Sequence, residues 1–155
     1  MISVAPKRFS QEDLLERACF RVAWNVRNIW EERGSSDTRL FMGPLISNEL
    51  VIIGQSKASA AEGEHCFEHV VPRLVICNEV HRMFEAGAST EDAGRLIRKY
   101  LKIILITKAE RKRLDSADQL NLKQRMPEGW MFGRDSPYAR LNAAGIEFHL
   151  FPGRS

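Results

Sequence analysis

From Ser10 to about Arg33 the apolar residues Leu14, Leu15, Ala18, Cys19, Val22, Val26, Ile29 and Trp30 recur at helical spacing. This predicts one long helix, about 36 Å from end to end at the usual rise per residue. Ser10 and Asp13 form a candidate capping box at its start. Gly34 supplies the left-handed stop. A helix this long spans a domain or protrudes into a dimer contact, with Trp24 and Trp30 as candidates for the seam. The remainder of the chain must pack against its apolar stripe.

That remainder alternates short apolar runs with capped helices. Leu40 to Met42 and Leu50 to Ile53 read as short strands around a Gly43-Pro44 turn. GQSKASAAEGE reads as a mobile loop, and Phe67 to Val71 as a strand. Pro72 suits the first turn of a helix running to about Ala86. Ser89 with Asp92 starts another helix, Lys102 to Ile106 is a strand, and Thr107 with Glu110 caps a short basic helix. Residues 126–150 read as a turn (MPEGW), a helix opened by Ser136-Pro137, and a last strand from Ile146. The fold expected is α+β: a single domain over residues 1–155, with a long N-terminal helix, short antiparallel strands and a central helix pair.

A length of 155 residues with 44% apolar content suits one buried core. The opening MISVAPKRFSQEDL has no apolar leader segment, and no apolar run is long enough to cross a bilayer. A cytoplasmic location, with no membrane partner, is the expectation. Three cysteines, Cys19, Cys66 and Cys77, argue against a disulfide framework.

Charge is unevenly placed. Arg95 to Arg113 holds eight basic residues and one acidic, whereas Ala58 to Asp92 holds seven acidic and two basic. Arg95, Arg98, Lys99, Lys102, Lys108, Arg111, Lys112 and Arg113 are therefore candidates for binding phosphates or an acidic partner, the alternative being a solvated helix face. No aromatic residues interleave here to stack bases, so backbone contact without sequence readout is expected.

The densest cluster of chemical groups surrounds CFEHVVPR, Cys66 to Arg73, with His81 beyond it. Three readings stay open. In the first, EHVVPR resembles the opening motif of HNH-type (ββα-metal) nucleases of phages and mobile elements. TKAERKRLD, Thr107 to Asp115, resembles the closing helix of that family, T-x-x-E-H-x-x-L. The resemblance covers residues 64–115. It implies His69 as general base, Glu68 and His81 toward a divalent metal (Mg or Mn), and nucleic acid as the partner. Arg111 stands where the family has its last histidine, Asn78 is the nearest asparagine to the middle position, and a helix pair lengthens the connection. Arginine stays protonated and ligates no metal, so the resemblance implies a scaffold that is degenerate. In the second reading, Cys66, His69, Cys77 and His81 (C-x2-H-x7-C-x3-H) hold structural zinc. In the third, these side chains are simply packed and hydrogen-bonded, and no cofactor is bound. A separate functional expectation is a non-enzymatic interaction protein, such as an anti-CRISPR-type inhibitor that docks as a dimer on a host nucleoprotein defence complex.

Overall fold

The long helix forms as its caps dictate. In the computed structural model, which describes residues 8–155, α1 runs Gln11–Arg33. Ser10 Oγ accepts from the Asp13 N–H at 3.1 Å, the Asp13 carboxylate accepts from the Ser10 N–H at 3.3 Å, and Gly34 sits at φ +71°. The reading of Met1 to Lys7 as free of a leader lies outside the described residues. Among the described residues no helix is long and apolar enough to cross a membrane.

The other elements follow in order. They are α2 (Asn48–Val51), β1 (Ile52–Ser56), α3 (Lys57–Glu62), β2 (Cys66–His69), α4 (Arg73–Glu85) and α5 (Thr90–Tyr100). After them come β3 (Ile103–Ile106), α6 (Lys108–Asp115), α7 (Ala139–Ala143) and β4 (Phe148–Leu150). The four strands form one sheet in the order β2-β3-β1-β4. β2 pairs antiparallel with β3, and β4 antiparallel with β1. β1 and β3 run parallel, so the sheet is mixed rather than wholly antiparallel. A parallel pair needs a crossover, and α3, β2, α4 and α5 supply it. The whole is an α+β domain with a small mixed sheet.

Ala18, Cys19, Val22, Ala23 and Val26 form the buried stripe of α1, which packs chiefly along α5. Close approach of the two helices centres on Gly94, where an added Cβ would lie 3.6 Å from Phe20 Cα. Trp30 is used in packing, its ring centroid 5.6 Å from that of Phe84. Trp24, by contrast, stays exposed. Ile103, Ile104 and Ile106 of β3 are fully buried at the centre of the core.

Three local expectations are corrected, the first being Leu50 to Ile53: Leu50 and Val51 belong to α2, capped by Ser47, and only Ile52 and Ile53 are strand. Leu40 to Met42 is not a strand: Thr38–Phe41 is a turn of 3₁₀ helix. Asp37 Oδ1 accepts from the Arg39 N–H at 2.8 Å, a local side-chain bond that competes with extension. The GQSKASAAEGE segment is not a mobile loop either. Gly54 to Ser56 complete β1 and the alanine-rich stretch forms α3, because alanine favours helix strongly. Ser56 Oγ caps α3 by accepting from the Ser59 N–H at 2.9 Å, and Gly63 ends it at φ +67°.

Candidate functional site

β2, β3 and α6 stand together as an antiparallel strand pair with a helix after its second strand, and α4 and α5 are inserted between the strands. α6 packs against β2. This brings Glu68 and His69 of β2 beside Arg111 of α6. Arg111 donates to the Phe67 carbonyl at 2.5 Å, and its Nε lies 3.4 Å from Glu68 Oε2. The residues border a cleft of about 390 Å³ whose walls include Thr38, Arg73, Asp115, Lys123 and Arg140.

Arg140 anchors this site, and its side chain is wholly buried. Its Nε and Nη2 donate to the Leu122 carbonyl at 2.9 and 2.7 Å. Nη1 donates to the His69 carbonyl at 2.6 Å, and Nη2 also to Glu68 Oε1 at 2.9 Å. The planar fork thus ties α7, β2 and the loop at Leu122 together. Burial drives the Glu68 carboxyl upward from the ordinary carboxylate range, and the guanidinium groups of Arg140 and Arg111 pull it back. Asp115 Oδ1, buried and without a hydrogen-bond partner among the described residues, lies 4.0 Å from Arg140 Nη2.

Burial pushes the His69 imidazole down to about 4, with Arg73, Arg140 and Arg111 opposing its charge further. It is therefore neutral near physiological pH. The sign of its stability contribution follows. Its folded value lies below the unfolded value of 6.5, so the contribution is present above about pH 6.5 and is lost as pH falls toward 4. His69→Gln should flatten that decline, removing about 2–3 kcal/mol of the wild-type loss. Parallel urea melts from pH 7 to pH 4 would measure it, and identical slopes would contradict the assignment.

His81 is placed elsewhere. Far along α4, its Nε2 lies 2.5 Å from Ser36 Oγ and 3.7 Å from Cys77 Sγ. Ser36 Oγ is also 3.4 Å from Cys77 Sγ. Burial lowers His81 and raises the Cys77 thiol. Cys77 and His81 are thus neighbours, as their spacing of four predicts, while Cys66 and His69 lie on β2. Among the described residues no group of three or more histidine, cysteine, aspartate or glutamate side chains is placed to hold a metal ion. The cleft residues do not fit a divalent ion in the HNH manner. Both Glu68 oxygens face guanidinium groups, and the third member of the cluster, Arg111, is itself a cation.

The eight basic residues separate into two groups. Arg95, Arg98, Lys99 and Lys102 line a second cleft, of about 460 Å³, with Pro152 to Ser155. Several of these charges are answered within the chain. Arg95 pairs with Asp92, and Arg98 with Glu12 and, at 3.7 Å, with Glu16. Lys99 Nζ lies 5.4 Å from the Tyr100 ring centroid, and burial lowers Lys102, with Lys99 adding to the effect. Lys108, Arg111, Lys112 and Arg113 are on α6, and of these only Arg111 lines the first cleft.

Sequence reasoning missed Arg140, Lys123 and Thr38, and it placed Arg73 in the CFEHVVPR motif without giving it a role. For Arg140 a signal existed: an arginine amid Ala139, Leu141, Ala143 and Ala144 is a cation in an apolar stretch, and such a cation needs a buried partner. Lys123 and Thr38 carried none. No family model, curated protein or solved structure matches this chain, so the chemistry of the cleft is read from its own geometry.

Proposed function

We propose that this is a nucleic-acid-associated protein in which an HNH-like scaffold carries arginine in place of a metal ligand and serves to bind rather than cut. The supporting observation is the convergence of Glu68, His69 and Arg111 at one cationic cleft, with the buried Arg140 holding Glu68. The context suggested by the family resemblance is the bacterial cytoplasm and a phage or other mobile element. Binding to a single-stranded oligonucleotide should occur at low salt and persist when EDTA replaces Mg²⁺ or Mn²⁺. It should weaken about tenfold between roughly 50 and 200 mM salt, as a few phosphate contacts require. Lys123→Ala should reduce the salt slope by about one contact. Fluorescence anisotropy checks both. Absence of binding at low salt would end the proposal. Metal-dependent cleavage abolished by His69→Ala would replace it with an active nuclease.

A second reading, an inhibitor that docks as a dimer on a host nucleoprotein complex, draws on α1. Phe20 and Trp24 lie one turn apart and are 41% and 54% exposed. Trp24→Glu should then convert a dimer to a monomer in sedimentation equilibrium. A wild-type monomer at all concentrations would count against that reading.

A further inference from the structure

We infer that the cleft at the start of α4 receives a terminal phosphate monoester of a nucleic acid, rather than an internal phosphodiester. The inference rests on the nucleic-acid reading above and narrows it to one chemical group.

Charge balance carries the argument. Four cations, Arg73, Arg111, Lys123 and Arg140, and two carboxylates, Glu68 and Asp115, line the cleft. Arg140 and Arg111 face Glu68, and Asp115 lies beside Arg140. Two positive charges are left over. They belong to Arg73 and Lys123, neither of which forms an ion pair with any described carboxylate; Arg73 Nη1 meets only Met42 Sδ, at 3.0 Å. A phosphate monoester carries about −1.5 to −2 near neutral pH, and a diester carries a single charge. The two free cations therefore match the monoester.

Position and size agree with charge. Pro72, at the N-cap of α4, offers no side-chain hydrogen bond, and Pro72, Arg73 and Leu74 all border the cleft. The Val75 N–H is held by the Pro72 carbonyl at 3.0 Å, which leaves the N–H groups of Arg73 and Leu74 for an anion, adding to the two cations. Thr38 also borders the cleft. The cleft, about 390 Å³ and open to solvent, has room for a small ligand group. A nucleotide end fits such a space, whereas the backbone of a duplex runs along a surface.

The test uses the full chain and short labelled oligonucleotides of one sequence, with a 5′ phosphate, a 3′ phosphate or neither. A terminal phosphate at one end should tighten binding at least tenfold. Lys123→Ala should abolish that preference while the melting temperature stays unchanged, because Lys123 is exposed. Arg82→Ala, outside the cleft and paired with Glu79, should keep it. Adenosine monophosphate should compete, and adenosine should not. Equal binding of all three oligonucleotides would overturn the inference and leave the nucleic-acid reading standing; no binding by any of them would remove both. Equal competition by adenosine would also overturn it.

Discussion

Replacing Arg140 by leucine should cost about 3–5 kcal/mol, the expense of stranding a buried charge. Three acceptors lose their donor at once: Glu68 Oε1 and the carbonyls of Leu122 and His69. Glu68 is only 8% exposed, so water at the cleft solvates its carboxylate poorly. Arg111 remains, but at 3.4 Å and partly exposed it screens the charge incompletely. Arg140→Lys keeps the charge and loses the fork, so it should recover part of the loss. The double variant Arg140→Leu with Glu68→Leu should be more stable than Arg140→Leu alone, because it removes the stranded carboxylate along with its partner. Thermal melts would read the single change as a drop on the order of 10 °C for a domain of this size. A drop below about 2 °C, or a double variant worse than the sum of its parts, would show that the network is not what holds α7 to β2.

The residues best read from sequence were those whose partners lie within a few positions. Ser10 with Asp13, Ser89 with Asp92 and Thr107 with Glu110 all form the capping boxes their spacing implied. The same physics accounts for part of the nuclease resemblance in TKAERKRLD. Thr107 and Glu110 cap α6 reciprocally, Glu110 also accepts from Ser56 Oγ at 2.6 Å, and Leu114 is fully buried. A capped helix with one face on a core needs those residue types at that spacing, whatever chemistry stands beside it. Long-range pairings were not legible. The parallel match of β1 to β3 depends on the crossover between them, and Arg140 reaches His69 across 71 positions. Local pattern carries no information about either. The candidate site was half legible for the same reason: Glu68, His69 and Arg111 were singled out from short motifs, with Arg73 inside one of them, while Lys123 and Thr38 enter the cleft only through the path of the folded chain.

Gly54 shows how one backbone position can separate stability from the site. It lies in β1 at an irregularity of register, paired with Ile104 on one side and Leu150 on the other. A Cβ there would run into the His149 carbonyl oxygen, with Leu150 Cα at 3.0 Å and the His149 carbonyl carbon at 3.1 Å. All three obstacles are backbone, so no rotamer change relieves them. Gly54→Ala should therefore push β4 off the sheet and cost about 3 kcal/mol, the upper end for overpacking. Among the described residues β4 is an edge strand with β1 as its only partner, so loss should be local at first. The Phe151 N–H, held by the Ile53 carbonyl at 2.8 Å, should lose hydrogen-exchange protection before the amides of β3. Arg140 keeps its own bonds to β2 and Leu122, and the fully buried Leu141 holds α7 in the core, so the first cleft, at the opposite edge of the sheet, should retain its phosphate preference below the melting temperature. Protection lost uniformly across β3 and β4 would mean that the edge and the centre unfold as one unit. A variant melting within about 2 °C of the parent would mean that β4 shifts to make room, and that the close approach is dispensable.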